Sequence, residues 1–148
     1  MDNLTPIVSE LFAFLAAVGI QPPVEIPPIN FISSHEMSIM VNDVYGFRQQ
    51  NLSQFPLGVC VNGVISLDSK INVKTVWGKS LLLHELTHYT QNKCPLVSKK
   101  DIMKIAMMEA QAYSVQNRWL EANNSPLRFD NPYGFSVELP HISNWKWH

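Results

Sequence analysis

The chain has 148 residues, 11 basic against 12 acidic side chains for a formal net charge of −1, 46% apolar residues and only 16% charged. A chain of this size buries roughly two-thirds of the surface its unfolded form exposes, so it can build one core without a disulfide framework, and its composition excludes a disordered tail. Balanced charge with no basic block longer than Lys99-Lys100 removes the usual source of nucleic-acid affinity, and the longest apolar run, Leu11 to Ile20, is about half the ~20 residues of a membrane span.

In chain order, Thr5 to Gly19 reads as a short amphipathic helix, with Thr5 as N-cap, Pro6 at the first helical position and Ile7, Leu11, Phe14, Leu15 and Val18 recurring on one face. The residues before Leu11 contribute Asp2 and Glu10 but no Lys or Arg, so the segment lacks the positive start of a secretory signal. The expectation is a cytoplasmic protein if Met1 is native and a secreted one if a leader has been removed. Gln21 to Asn30 carries Pro22-Pro23 and Pro27-Pro28 and reads as a stiff connector. Ser34 to Val44 is a second short helix, with Met37, Met40, Val41 and Val44 inward.

Val59, Cys60 and Val61, then Asn62-Gly63, then Val64, Ile65 and Leu67 spell an antiparallel hairpin, because both central residues of a type I′ turn need positive φ. Two longer helices follow over residues 76–92 and 98–122, separated by Cys94-Pro95. Ser98 with Asp101 three residues on reads as a capping box for the second. Beyond Asn123-Asn124-Ser125-Pro126 lies an aperiodic tail ending in Trp145-Lys146-Trp147-His148, whose tryptophans are expected to pack over the core. Cys60 and Cys94 are either a disulfide or two free buried thiols; two cysteines do not reveal their own pairing.

The chemistry lies in His84-Glu85-Leu86-Thr87-His88. On an α-helix, residues four apart stand one above the other, so His84 and His88 offer two imidazoles to one tetrahedral Zn²⁺ at ~2.0 to 2.1 Å. Glu85 projects about 100° further round, beside the metal, where its carboxylate can take the proton of a zinc-activated water and pass it to a leaving amine. With 5 His in the chain, the expected number of chance H-E-x-x-H matches is roughly 0.008, which weighs against two ordinary histidines and a solvated charge.

A catalytic zinc commonly has three protein ligands. Glu109 is the expected third. It lies on the stripe Ile102, Ala106, Glu109, Tyr113, Gln116 and Leu120, and a carboxylate inside an apolar face needs a compensating charge that a metal supplies. His141 is its main rival; His148 and Asp101 are weaker ones, and a Glu109 that reaches water at the edge of the stripe is the bland reading. Trp77, Leu81 and Tyr89 read as core.

Leu83-His84-Glu85-Leu86-Thr87-His88-Tyr89-Thr90-Gln91 and Glu109-Ala110-Gln111-Ala112-Tyr113-Ser114-Val115-Gln116-Asn117-Arg118-Trp119-Leu120 together resemble the zincin-like metallopeptidases of the gluzincin type. The likeness is closer still to small bacterial proteins of unknown function that pair H-E-x-x-H-x-x-Q with a Cys, here Cys94, and then with E-x-x-A-Y-x-x-Q-x-x-W-L. It covers about residues 56–122. The resemblance implies His84, His88 and Glu109 as ligands, Glu85 as general base, and a strand lining the cleft before the active-site helix, which fits the hairpin. One position departs: thermolysin-like gluzincins carry an Asp one turn after the ligand Glu, where this chain has Tyr113. Tyr113 is therefore a candidate catalytic group, as ligand-orienting or oxyanion-stabilising phenol, or a packing residue.

The expectation is a single-domain α+β, minimal zincin-like fold over residues 1–148, two long helices carrying the metal site beside a small antiparallel hairpin. Its expected function is a Zn²⁺-dependent metallohydrolase acting on a peptide or protein substrate laid along the hairpin edge, with no nucleic-acid partner and no membrane span. The alternative is a zincin-fold binding or toxin-associated module with a structural zinc or a vestigial site.

Overall fold

The computed structural model describes residues 3–45, 57–92, 94 and 101–131. Among them the elements run α1 (Thr5–Ala17), β1 (Ile29–Ile32), α2 (Ser34–Tyr45), β2 (Gly58–Val61), β3 (Val64–Asp68), α3 (Val76–Thr90) and α4 (Ile102–Ala122), an α+β architecture.

The hairpin forms where Asn62-Gly63 predicts it. These residues take φ of 51° and 76°, the pair of left-handed conformations a type I′ turn requires. The register runs from Gly58↔Leu67 to Val61↔Val64. Side chains alternate along each strand, so Gly58, Cys60, Ile65 and Leu67 share one face of the sheet while Val59, Val61, Ser66 and Asp68 share the other.

A third strand corrects the reading of residues 21–30 as a connector only. β1 pairs in parallel with β3, from Ile29↔Ile65 to Ile32↔Asp68, and the sheet order is β1-β3-β2. The prolines do remove donors, but Pro28 keeps its carbonyl, which accepts from the Ile65 N–H at 2.9 Å, and pairing starts at the next residue. A parallel partner far along the chain leaves no local turn signature.

Helices cover both faces. On one side Met37 and Val41 of α2, the inward positions expected of that helix, pack on Val59, with Ile32, Met40 and Val61 around them; Val44 lies outside the described side chains. On the other, Ile65 and Leu67 join Leu82, Leu83 and Leu86 of α3, Val115 and Leu120 of α4, and Val8, Leu11 and Leu15 of α1 in the main core. Each of these fully buried side chains contributes roughly 1.5 to 3 kcal/mol of transfer free energy. Trp77 and Leu81 pack at the margin of this core, and Tyr89 is buried, as expected. At the start of α1, Leu4 rather than Thr5 is the N-cap residue, and the Thr5 N–H donates to Asn3 Oδ1 at 3.0 Å.

α3 is walled in almost all round, with an unbroken buried run from Leu82 to Tyr89. Thr75 caps it, its Oγ1 accepting from the Gly78 N–H at 2.9 Å. Gly78 is required by close approach, since a Cβ there would overlap the Asn72 carbonyl. α4 packs along α3, and the Trp119 Nε1–H donates to the Val76 carbonyl at 3.1 Å. The start of α4 differs from expectation: Asp101 is itself the N-cap, accepting from the Lys104 N–H at 3.1 Å. A carboxylate one methylene from its own Cα reaches its third successor directly and needs no Ser98, which lies outside the described residues.

Cys60 and Cys94 are joined as a disulfide with Cα atoms 5.2 Å apart, settling the question their sequence left open. The bond ties the middle of β2 to the turn that closes α3. No helix among the described residues is long and apolar enough to cross a membrane.

Candidate metal centre

One turn of α3 places His84 and His88 on a single face, and α4 lays Glu109 across it. His88 Nε2 lies 3.2 Å from His84 Nε2 and 2.6 Å from Glu109 Oε1, and His84 Nε2 lies 3.6 Å from Glu109 Oε2. Ligand atoms of the three residues fall within 4.8 Å of one another, and the group could hold a metal ion. Ligands of a tetrahedral ion with bonds of ~2.0 to 2.1 Å stand about 3.3 Å apart. The two His84 separations already match that spacing, and the His88–Glu109 contact would open from a hydrogen bond. Two imidazole nitrogens and one carboxylate are a donor set suited to zinc, and three ligands leave a coordination position open.

The structure brings together the three residues that the sequence singles out. Asp101, one of the rival third ligands, is occupied in capping α4, and the other two, His141 and His148, lie outside the described residues, as does the tryptophan-bearing tail.

His84, Glu85 and His88 are only 7–9% exposed. Burial pushes the Glu85 carboxyl above the usual carboxylate range; His84 and His88 pull it back in part, and Glu109 pushes the same way as burial. For His88 burial acts downward, but Glu109, by charge and by hydrogen bond, outweighs it and lifts the imidazole to about 9. Burial raises Glu109 in turn, and is overcome by the His88 charge and the hydrogen bonds of both histidines, which hold this carboxyl well below its ordinary value.

Glu85 turns from the ligand face toward the sheet. The first residue of β2, Gly58, lies against it, and a Cβ at that position would stand 3.1 Å from Glu85 Cγ and 3.2 Å from its Oε2. The general-base candidate thus borders the His84, His88 and Glu109 group on one side and the backbone of β2 on the other. Tyr113 sets its ring edge to face on His84, centroids 4.6 Å apart, so it contacts a candidate ligand directly.

A layer of amides behind the histidines has no assigned role in the sequence reading. His84 Nδ1 is 2.9 Å from Gln116 Oε1, and His88 Nδ1 is 2.7 Å from Gln91 Oε1. Gln91, Gln111 and Gln116 are no more than 1% exposed. The available signal was position: Gln91 falls one turn after His88, and Gln116 lies on the Glu109 stripe, where uncharged polar residues are costly unless hydrogen-bonded.

Comparison of the chain with protein-family models, with curated proteins and with solved structures finds no match.

Proposed function

We propose that this protein is a zinc-dependent metallohydrolase of the zincin-like type, most simply a peptidase, in which His84, His88 and Glu109 hold the metal and Glu85 is the general base. The observation that carries the reading is the convergence of His84 Nε2, His88 Nε2 and the Glu109 carboxylate on one point, with a second buried carboxylate adjacent on the same helix turn. A divalent ion held there supplies Lewis acidity and makes water a nucleophile near neutral pH.

The chain's own groups do the rest. Glu85, kept proton-hungry by burial, accepts the proton of the attacking water and returns it to the departing amine nitrogen. Gly58 leaves room for that carboxylate, and β2, which among the described residues pairs only with β3, offers its other edge to an extended peptide. Tyr113, against His84, orients that ring or meets the carbonyl oxygen. The Cys60–Cys94 bond supports an oxidising compartment as the place of work.

The low exposure of His84, Glu85 and His88 favours one alternative, a module whose metal is structural and turns nothing over. Two measurements separate the readings. Elemental analysis of wild type and Glu109→Ala is expected to give about one zinc per chain in the first and a clear loss in the second; no zinc in reconstituted wild type overturns both. Peptide turnover that disappears in Glu85→Gln with zinc retained establishes the enzyme, and zinc retained without turnover in wild type leaves the structural module.

A further inference from the structure

We infer that Gln91 and Gln116 are positioning residues that hold both ligand imidazoles as Nδ1–H rings with Nε2 turned to the metal, and that the direction of each relay is set by a backbone carbonyl. The inference rests on the proposed metal centre but concerns residues outside its ligand set.

An amide side chain by itself can face either way; its neighbours decide. Gln91 Nε2 lies 3.0 Å from the Met108 carbonyl oxygen of α4 and 2.7 Å from Gln111 Oε1. A backbone carbonyl only accepts, so the NH₂ end of Gln91 must lie there and its oxygen must face His88 Nδ1 at 2.7 Å. That oxygen also only accepts, so Nδ1 carries the proton. The second relay closes through a hydroxyl. Ser80 Oγ donates to the Trp77 carbonyl at 2.6 Å, which commits its one proton, so toward Gln116 Nε2 at 3.3 Å it is an acceptor. The NH₂ of Gln116 therefore points to Ser80 and its oxygen to His84 Nδ1, which carries the proton on this ring too.

With both Nδ1 atoms protonated and facing away, the Nε2 lone pairs and the Glu109 carboxylate converge as acceptors. A proton or a metal cation satisfies such a point. The relays also lace the helix pair in opposite senses: Gln116 of α4 holds a histidine of α3 and is anchored on α3, while Gln91, just past α3, holds the other histidine and is anchored on α4. Ligand orientation and the docking of α4 on α3 are thereby one event. Neutral amides do this without adding charge, so a divalent ion is balanced by Glu109 and Glu85.

The two anchors differ in one testable way. A serine hydroxyl can rotate and become a donor, whereas a peptide carbonyl cannot. Gln116→Glu keeps an acceptor for His84 and lets Ser80 turn its proton toward the new carboxylate. Gln91→Glu sets a carboxylate oxygen against the Met108 carbonyl, which stays an acceptor even if the Gln111 amide turns its NH₂ toward the new carboxylate. Zinc affinity of wild type, Gln91→Met, Gln116→Met, Gln91→Glu and Gln116→Glu is measured by chelator competition, with circular dichroism of each metal-free variant as the folding control. Both Met variants are expected to raise the zinc Kd about 10- to 100-fold, Gln116→Glu to recover most of that loss, and Gln91→Glu to recover none. Equal behaviour of the two Glu variants overturns the anchoring scheme.

Imidazole ¹⁵N–¹H correlation spectra of wild type, before and after zinc, give a readout that does not depend on any variant folding. Persisting Nδ1 protons on both rings, with zinc shifting only Nε2, is the expected result. Loss of an Nδ1 proton on zinc addition overturns the inference. Nδ1 protons present on both rings with no zinc-induced change at any nitrogen upholds the relays and overturns the metal reading instead.

Discussion

Gly58 lies flush against Glu85: a Cβ at residue 58 would stand 3.2 Å from Glu85 Oε2 and 2.9 Å from Leu67 Cδ2. The strand edge and the general-base candidate are thus fitted to one another with no space for a methyl group. Gly58→Ala is expected to push the Glu85 carboxylate by a few tenths of an ångström and to lower kcat by about tenfold with zinc content unchanged. Overpacking would cost about 1 kcal/mol in stability. Steady-state kinetics beside elemental analysis checks this, and an unchanged kcat would remove Gly58 from the positioning of Glu85.

Glu85→Gln is expected to lower turnover by about 10²- to 10⁴-fold, the contribution of a positioned base, while stabilising the metal-free protein at neutral pH. The sign follows from the raised carboxyl. A Glu whose folded pKa lies above its unfolded 4.5 destabilises the fold increasingly as pH rises past that value. The variant's advantage in melting temperature should therefore be present at pH 7 and vanish below about pH 4.5. A variant less stable than wild type at pH 7 would contradict the burial of this charge.

Metal binding should compete with a proton on His88. In the metal-free protein His88, raised from 6.5 to about 9, contributes stability that is full below 6.5 and lost as pH rises through about 9. Glu109, lowered from 4.5, contributes stability that is present above 4.5 and lost as pH falls. Their mutual stabilisation is fullest between 4.5 and 6.5. Zinc needs the neutral imidazole, so its affinity should rise about tenfold per pH unit up to about 9, with proton release visible by calorimetry in buffers of different ionisation enthalpy. An affinity flat from pH 6 to 8 would rule out the competition.

Reduction of Cys60–Cys94 opens a loop of sequence separation 34 and should cost about 4 kcal/mol on the chain-entropy model. The effect should extend to the candidate metal centre. The Cys94 N–H donates to the His88 carbonyl at 3.3 Å, and Cys94 itself is held at φ 62°, a left-handed conformation unfavourable to a side chain. Denaturant titration with and without a phosphine reductant, and the Cys60→Ala, Cys94→Ala double variant, should show the stability loss together with weaker zinc retention. Zinc affinity indifferent to the bond would confine its role to the fold.

What could be read from the sequence was what short-range geometry dictates. The 3.6-residue period sets His84 over His88 and turns Glu85 aside whatever the rest of the chain does, and Asn62-Gly63 forces its turn because few other pairs tolerate two positive φ values. Glu109 was reachable because a carboxylate in an apolar stripe demands a positive partner. The parallel strand β1, the Cys60–Cys94 bond and the capping of α4 by Asp101 were not, since each depends on which of several alternatives the folded chain selects.

The amide relays mark the same boundary most clearly. One dimension specifies that Gln91 and Gln116 exist and lie near ligand positions, but an amide has two ends, and its direction depends on carbonyls brought from another helix or another turn. The sequence by itself determined the candidate ligand types and the local spacing of His84, Glu85 and His88, because helix geometry repeats without reference to its surroundings. The tertiary structure decided which imidazole nitrogens face the Glu109 carboxylate and how closely the three groups converge, because those choices are made by the docking of α4 on α3.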